Sequence, residues 1–541
     1  MLSARTCSLS SVVSLPRVLL TLLGLLIVLF IPYRGQIKQK WEDSESIRDW
    51  LPIAGSQHGA GYDLASETLS ILQRHSPGAS GSSNPIEEVK DAKAERWPAD
   101  NQTNLMDILD IKPKQILAMM EAHSGFIRDI NDKMPKYFAA KRAPPRGIVT
   151  VGGSSYFPPL MVSLRLLRRT GTSLPVEVFV PEEEYEPDLC EQIMPTLNAF
   201  CRTFPNTTSK ISHYQYKIFA ILLSSFSDVL WLDADNFPLH DAAPLFTSVP
   251  FRETGLVTWP DLWQTSISPA YYLIASRAPT PVFARASTES GQLLVSKAKH
   301  WKTLLVAAYY NYYGPGYYFP LLCQGGAGCG DKETFLPAAE AVGLPFYDVK
   351  AQPHPVGHYK FNIKPERGIY NFALIQNNPS SDYEVTSKLD KAARKSAGEE
   401  HRSGDINHTD RPSEENANSY ENVPPFFLHM STPKWDAHHV FDHVGKYDFT
   451  LDERRQSAPA YRDPPEAADK IRGVERMVWE EARWVACNLE DIMGYWEGKR
   501  GQICQRLEEY FRDVLDTDKG AGLGLAADLV PAPMAHEEVA D

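Results

Sequence analysis

The sequence lacks the basic excess expected of a nucleic-acid-binding protein. Its 541 residues contain 55 Lys and Arg against 68 Asp and Glu, which gives a formal net charge of -13. It also lacks a basic stripe with interleaved aromatic residues that would neutralise phosphates. Nucleic acid is therefore not an expected partner. The 43% hydrophobic and 23% charged residues are ordinary for a globular chain, so most of the length can bury a core.

Long apolar runs are scarce, and the one that stands out lies near the N-terminus. Residues 18–31 are apolar and follow Arg5 and Arg17, and no A-x-A-like cleavage site comes after them. We therefore predict an uncleaved signal anchor at 18–33, with 1–17 as a cytoplasmic tail and the remainder in a lumen. A cleaved signal peptide is the alternative. The short span suits the thin membranes of the early secretory pathway.

Cysteine is sparse, and its placement is informative. Cys7 precedes the apolar run, and the six others fall as sequence neighbours: Cys190 with Cys201, Cys323 with Cys329, and Cys487 with Cys504. The even count and local clustering predict three disulfides in an oxidising lumen, although six cysteines permit about fifteen connectivities. Six free thiols in a cytosolic enzyme are the alternative.

Three N-x-[ST] sequences also favour passage through the secretory pathway. Each of these motifs alone arises often by chance. The predicted N-glycosylation acceptors are Asn101, Asn206 and Asn407.

Composition divides the rest of the chain. Residues 34–145 are mixed and polar, which predicts a lumenal stem that holds a catalytic head away from the bilayer, with a small independent domain as the alternative. The catalytic domain is predicted at 146–515. Within it, residues 378–424 are rich in Ser, Asp, Glu, Asn and Lys and predict a disordered surface insertion. Residues 516–541 predict a flexible tail.

The start of the catalytic domain alternates strand and helix patterns. A β-branched run at Gly147–Gly153 is followed by the helical pattern Leu160–Gly171 and the strand Val176–Val180. The pattern then repeats, with a helix at Tyr216–Phe226 and a strand at Asp228–Phe237. This order predicts an α/β fold with a parallel sheet, in which ligands bind at the carboxyl ends of the strands.

Two carboxylates stand at the end of the second of these units. Asp233 and Asp235 follow an apolar strand, with only Ala234 between them. They repel each other unless a cation or a shared proton relieves the repulsion. Mn²⁺ or Mg²⁺ would do so while binding phosphate oxygens, and could stabilise a departing nucleotide diphosphate. A solvated surface pair is the alternative.

The sequence around this pair is more specific than the pair itself. Residues 214–246, YQYKIFAILLSSFSDVLWLDADNFPLHDAAPLF, resemble the centre of the fungal α-mannosyltransferases of glycosyltransferase family 71. The similarity continues through ESGQLLVSK at 289–297, GDKETF at 330–335 and HMSTPKWD at 429–436. It covers roughly 147–448.

The resemblance implies a fold and an activity. Family members are type II Golgi enzymes that extend mannoprotein glycans. The implied fold is of the GT-A type, Rossmann-like, with a mostly parallel sheet flanked by helices. The implied reaction is metal-dependent transfer of mannose from GDP-mannose to mannose of a glycoprotein glycan, retaining the α configuration, in α-1,2 or α-1,3 linkage. The implied partners are the donor, the glycoprotein acceptor, the Golgi membrane and other mannosyltransferases in a complex.

The resemblance also assigns residues. The implied metal ligands are Asp233, Asp235 and His429, with His354 and His358 as competitors of His429. The implied donor-binding residues are Gly152, Gly153, Lys217, Asp233, Asp235, Gln292, Lys332 and Lys434. The candidate catalytic residues are Asp331, Glu333 and Glu289, whereas a front-face mechanism assisted by the leaving phosphate would need none of them.

Other interpretations remain open for the sequence. The transferase could use another donor, such as a UDP-hexose, because the Asp pair is directed at the diphosphate rather than the sugar. A catalytically silent Golgi scaffold and an aspartate-based phosphatase are further alternatives, the last disfavoured by Asn236-Phe237-Pro238. The aromatic run Tyr309–Tyr318 is interpreted as core packing rather than as a sugar platform.

Overall fold

The structure is a computed structural model of the 541-residue chain. It describes residues 60–78, 84–87, 89, 92, 95–99, 103–138, 145–205, 211–358, 371–396, 418–432, 434–438, 440, 450 and 458–516, which belong to one compact unit, Ala60–Asp541. None of the helices described there combines the length and apolarity needed to cross a bilayer. The predicted anchor at 18–33 and the three acceptor asparagines, Asn101, Asn206 and Asn407, lie outside the described residues.

The described part of the chain contains eleven strands in two sheets. In chain order they are β1 (Arg146–Val151), β2 (Val176–Val180), β3 (Ala199–Thr203), β4 (Asp228–Leu232), β5 (Asn236–Pro238), β6 (Leu256–Gln264), β7 (Ala286–Ser296), β8 (Tyr347–Asp348), β9 (His354–His358), β10 (Asn371–Asn377) and β11 (Pro425–Thr432). The large sheet has the order β3-β2-β1-β4-β7-β6-β8 and the small one the order β5-β11-β10-β9.

The large sheet is mostly parallel. β1 pairs in parallel with β2 and β4, β2 with β3, and β6 with β8, whereas β7 is antiparallel to both β4 and β6. Parallel strands need crossover connections, which the intervening helices supply. The predicted α/β fold, with a mostly parallel sheet flanked by helices, is confirmed.

Thirteen α-helices lie in the described residues. They are α1 (Ala60–Arg74), α2 (Pro113–Lys133), α3 (Phe157–Arg169), α4 (Gln215–Leu223), α5 (Val249–Thr254), α6 (Pro269–Ala275), α7 (Lys297–Tyr312), α8 (Phe319–Cys323), α9 (Phe335–Val342), α10 (Pro379–Ser396), α11 (Pro465–Lys470), α12 (Val474–Leu489) and α13 (Ile503–Tyr510).

The large sheet has an apolar core on each face, and β4 shows why its sequence is apolar throughout. Leu230 and Leu232 belong to the core that includes residues of α3 and α12. Val229 and Trp231 point the other way, into the core that includes residues of α4 and α7. Alternate residues of a strand face opposite sides of the sheet, so a strand covered on both sides needs an unbroken apolar run.

Part of the predicted stem packs against the α/β unit. Phe126 on α2 is fully buried and stacks on Tyr309 of α7, with ring centroids 4.5 Å apart. The Tyr309 hydroxyl donates to the carbonyl of His75 at 2.9 Å, next to the end of α1. The interpretation of the tyrosine run as core packing holds for Tyr309, Tyr310 and Tyr318, which are all fully buried. The core of the unit is thus completed by helices from the predicted stem. The other faces of these helices are polar, and this polarity led to the stem interpretation.

The segment predicted as a disordered insertion, 378–424, is partly helical in the structure. Residues 379–396 form α10, while 397–417 lie outside the described residues. The first turn of α10 carries the fully buried Asp382, which accepts the backbone N–H of Ala351 at 2.7 Å and the hydroxyl of Tyr347 at 2.5 Å. These contacts fix the helix on the body of the protein despite its polar composition.

The six clustered cysteines pair locally in the structure. The disulfides are Cys190–Cys201, Cys323–Cys329 and Cys487–Cys504.

The packing of α2 can be tested by substitution. Phe126→Ala should lower the free energy of unfolding of the whole unit by about 3–5 kcal/mol, because it leaves a cavity against Tyr309. The matched control on the same helix is Leu117→Ala, at a side chain that is 58% exposed, which should stay within about 0.5 kcal/mol. Urea unfolding followed by tryptophan fluorescence measures both. Equal, small effects would show that α2 is not part of the core of this unit.

Candidate active site

The Asp pair lies in a turn between the two sheets. β4 ends at Leu232, and the amide of Asp233 donates to the carbonyl of Gly291 on β7 at 2.8 Å. The amide of Asn236 then donates to the Asp233 carbonyl at 3.0 Å, which closes the turn. The Asp235 carbonyl accepts the amide of Met430 on β11 at 2.8 Å. The backbone of the pair is thus held from both sides.

The small sheet brings His429 to this turn. β11 runs antiparallel to β5, and the register places His429 opposite Asn236, the residue after the Asp pair. His429 Nε2 lies 3.2 Å from Asp235 Oδ1 and 3.9 Å from Asp233 Oδ2. The three ligand atoms fall within 4.8 Å of one another. The competing histidines, His354 and His358, lie on β9, on the far side of β10 from β11.

This geometry fits a divalent cation. Octahedral ligands about 2.1 Å from an ion lie about 3 Å apart when adjacent and about 4.2 Å apart when opposite. The distances of His429 Nε2 from the two carboxylates, 3.2 and 3.9 Å, fall in this range. Two carboxylates and one imidazole are ligands that Mn²⁺ accepts. A second group of ligand-type side chains in the described part of the chain, Cys487, Cys504 and Glu508, has its two sulfurs in a disulfide.

Neighbouring charges shift the pKa values of Asp235 and His429 in opposite directions. Asp235 is 1% exposed, and burial alone would raise its pKa, but Lys434 and His429 outweigh burial and hold that pKa well below its usual range. Burial likewise opposes protonation of His429, whereas Glu289 and Asp235 raise its pKa well above the usual value. The buried carboxylates at this position therefore attract positive charge.

Lys434 reaches the Asp pair from a loop that the C-terminal helices support. Its Nζ donates to Asp235 and lies 5.6 Å from the ring centroid of Tyr156. The Lys434 side chain is 43% exposed, so it can also meet a ligand, as the resemblance implies. Asp436, two residues on, accepts the indole N–H of Trp496 at 2.9 Å, and this contact helps to fix the loop.

Lys217 is buried between two carboxylates. Its Nζ lies 3.1 Å from Asp233 Oδ1 and 2.9 Å from Asp331 Oδ2, and it also donates to the carbonyl and hydroxyl of Ser290 at 2.8 and 2.9 Å. Burial would lower the pKa of Lys217, but Asp233 and Asp331 raise it well above its usual value. Lys217 therefore balances the charge of the two carboxylates from a buried position.

The polar cluster at 331–333 divides its side chains between different partners. Asp331 meets Lys217, and burial raises the pKa of its carboxyl group. Lys332 pairs with Asp261 at 2.7 Å. Glu333 is 1% exposed and forms a two-pronged ion pair with Arg285, at 2.9 and 3.3 Å. Glu333 is thus engaged in a buried structural pair, and Asp331 is the member of the cluster that joins the Asp pair through Lys217.

Glu289 and Gln292 lie in a hydrogen-bonded chain behind His429. Glu289 Oε1 lies 3.0 Å from His429 Nδ1 and accepts the amide of Gly291 at 2.7 Å. Glu289 Oε2 accepts from Gln292 Nε2 at 2.7 Å, and Gln292 Oε1 accepts from Asn236 Nδ2 at 2.6 Å. The amide of Gln292 is therefore engaged within the protein.

The two predicted glycines directly follow β1. The Gly152 amide donates to the Phe179 carbonyl at 2.9 Å. Gly153 has a φ of +124°, and a Cβ there would lie 2.3 Å from Glu184 Oε2. Glycine at 153 thus lets the chain turn sharply where the loop after β1 begins.

Sequence reasoning missed several partners of the site. Trp231 donates its indole N–H to Asp233 Oδ1 at 2.8 Å. Ser290 accepts from Lys217, and Asn236 donates to Gln292, as described above. The available signal was adjacency in the motifs, because Ser290 follows Glu289 and Asn236 follows Asp235.

Part of the chain matches a protein-family model. Residues 145–284 and 282–388 match the family model described as "Mannosyltransferase putative". The match spans residues 145–388, which include the Asp pair. The resemblance inferred from the motifs around the Asp pair is confirmed.

Curated mannosyltransferases are similar over much of the chain. The alpha-1,2-mannosyltransferases MNN24 and MNN21 of Candida albicans are 33% and 32% identical, over 63% and 67% of this chain and 54% and 62% of their own. MNN2 of Saccharomyces cerevisiae is 31% identical over 62% of this chain and 63% of its own. The chain thus spans between about half and two thirds of the length of these relatives.

Solved glycosyltransferases resemble a smaller part. GlyE of Streptococcus pneumoniae matches with a TM-score of 0.22 and 17% identity over 29% of this chain and 36% of its own. The galactosyltransferase LgtC, solved with donor and acceptor sugar analogues, matches with a TM-score of 0.23 and 16% identity over 31% of this chain and 66% of its own.

The role of Lys217 can be tested through stability. Lys217→Met should lower the free energy of unfolding by about 3–5 kcal/mol, because Asp331 and Asp233 lose their buried counter-ion. Adding Asp331→Asn removes one of the stranded charges and should restore part of that loss. Chemical denaturation of the single and double variants measures both effects. A Lys217→Met protein of unchanged stability that binds donor weakly would instead make Lys217 a phosphate ligand.

Proposed function

We propose that this protein is a metal-dependent α-mannosyltransferase that transfers mannose from GDP-mannose to mannose of a glycoprotein glycan, with retention of the α configuration. The observation that carries the proposal is the convergence of Asp233, Asp235 and His429 at the carboxyl end of a parallel strand. Ligands of open α/β sheets bind at this edge.

The chain offers a role for each charged group around the diphosphate. Asp233, Asp235 and His429 would hold Mn²⁺ or Mg²⁺, which when bound offsets the negative charge of the diphosphate. Lys434 is exposed beside Asp235 and would pair with a phosphate oxygen as a point charge. Lys217 keeps Asp233 in place from the buried side.

The relatives favour one linkage. The three relatives described above are named alpha-1,2-mannosyltransferases, so we propose the α-1,2 linkage for this chain. The mannose donor follows from the same similarity, because the Asp pair itself does not distinguish sugars. No protein nucleophile is required in the proposal: the leaving phosphate can assist attack on the same face.

The proposal extends to the location of the protein. We place the catalytic unit in the Golgi lumen, behind a type II membrane anchor, with a mannosylated glycoprotein as acceptor and other mannosyltransferases as members of a complex. The three disulfides support an oxidising compartment.

A transfer assay tests the reaction. Purified protein should transfer mannose from GDP-mannose to an α-mannobiose acceptor with Mn²⁺ and fail to do so with EDTA. Asp235→Ala should abolish transfer because it removes a ligand and the partner of Lys434. Asp110→Ala, at a side chain that is 84% exposed, is the control and should keep full activity.

Two results would contradict parts of the proposal. Turnover of a UDP-hexose in place of GDP-mannose would overturn the donor and keep the fold and the metal. Inactivity with every sugar nucleotide and acceptor would favour a catalytically silent scaffold.

A further inference from the structure

We infer that Glu289 is a positioning residue of the metal centre, which acts through His429, rather than a sugar-contacting or nucleophilic group. This inference rests on the proposed metal site. A ligating histidine has two ring nitrogens, and the partner of one decides which face the other offers to the metal. His429 meets this condition: Nδ1 faces Glu289 at 3.0 Å, and Nε2 faces Asp235 at 3.2 Å.

The carboxylate of Glu289 fixes the tautomer of His429. An ionised carboxylate only accepts hydrogen bonds, so Nδ1 of His429 must carry the proton that lies between them. When Nδ1 carries the proton in the neutral ring, Nε2 keeps its lone pair. That lone pair is directed to the side where Asp235 and Asp233 present their oxygens.

Glu289 is itself held firmly. The amide of Gly291 donates to its Oε1 at 2.7 Å, and Gln292 donates to its Oε2 at 2.7 Å. Gln292 in turn accepts from Asn236, the residue that follows the Asp pair. The chain of hydrogen bonds thus starts and ends at the predicted metal site, and it ties the orientation of His429 to the turn that carries Asp235.

Glycine at position 291 leaves room for the contact between Glu289 and His429. A Cβ on Gly291 would lie 2.5 Å from His429 Nδ1 and 2.9 Å from Glu289 Oε1. Any side chain at 291 would therefore push the imidazole away from the carboxylate. Glycine is required here by the close approach of the two side chains, although its backbone angles are ordinary.

The same contacts disfavour a direct role for Glu289 with the sugar. Both of its oxygens have partners within the protein, and the residue is 8% exposed. A nucleophile needs an oxygen free to approach the anomeric carbon of the donor. Glu289 offers such an oxygen only if it abandons His429 or Gln292.

The experiment is a double-mutant cycle read out as Mn²⁺ affinity. Mn²⁺ binding to the full chain is measured by electron paramagnetic resonance of free Mn²⁺ for wild type, Glu289→Gln, His429→Ala and the double variant. We expect Glu289→Gln to weaken Mn²⁺ binding about 10- to 100-fold, as is typical when a histidine ligand loses its carboxylate partner. In the His429→Ala background the same change should have no further effect, because the residue through which Glu289 acts is gone.

Each other outcome overturns a defined statement. If Glu289→Gln binds Mn²⁺ like wild type and loses transfer, Glu289 acts on the sugar and the inference fails while the proposed function stands. If the two substitutions weaken binding additively, Glu289 acts independently of His429 and the inference also fails. If wild type binds no Mn²⁺ with or without GDP, the proposed metal centre itself fails.

A second variant carries the test if Glu289→Gln does not fold. Gly291→Ala keeps both Glu289 and His429 and separates their side chains, so it should also weaken Mn²⁺ binding, and unchanged affinity would overturn the inference. Near-ultraviolet circular dichroism of each variant checks that the aromatic core is intact.

Discussion

Excess negative charge at the end of β4 is the constraint on which the rest of the site depends. Four carboxylates meet there: Asp233, Asp235, Glu289 and Asp331. Two lysines oppose them: Lys217 and Lys434. With His429 neutral, four negative charges less two positive ones leave two, which a divalent cation would cancel. The high pKa of His429 is the response of the protein alone to the same imbalance, because a proton on the imidazole removes part of it.

The two sheets together assemble the site. β4 delivers the Asp pair from the large sheet, and β11 delivers His429 from the small one, with β5 as the short strand that joins them. Pairing of His429 with Asn236 fixes the register, and a slip of one residue would turn the imidazole to the opposite face. The loop that follows β11 then carries Lys434, and Trp496 holds that loop through Asp436. The site therefore needs the chain well beyond the alternating strand and helix units.

The sequence was sufficient where a local pattern has one physical meaning. An apolar run on β4 that stops at two carboxylates predicts a buried strand with a polar end, and the structure has both. Neighbouring cysteines such as Cys190 and Cys201 likewise pair locally. The sequence was insufficient where burial decides, because burial is a property of the folded chain. The helix α2 has a polar face that favours a stem, yet Phe126 on its other face fills the core. Glu289 carries a carboxylate, as a catalytic residue would, and only its contacts in the folded chain identify it as a partner of His429.

Burial also separates the roles of two lysines that sequence reasoning placed together. Lys217 and Lys434 both meet the Asp pair, and both were predicted to bind the donor. An ammonium group has three N–H donors, and Lys217, which is 7% exposed, meets four acceptors inside the protein. A phosphate could bind it only by displacing one of them. Lys434 is exposed along nearly half of its side chain, so it can turn a donor toward a diphosphate without breaking the buried network. The inner lysine thus keeps the carboxylates together, and the outer one is left to meet the ligand.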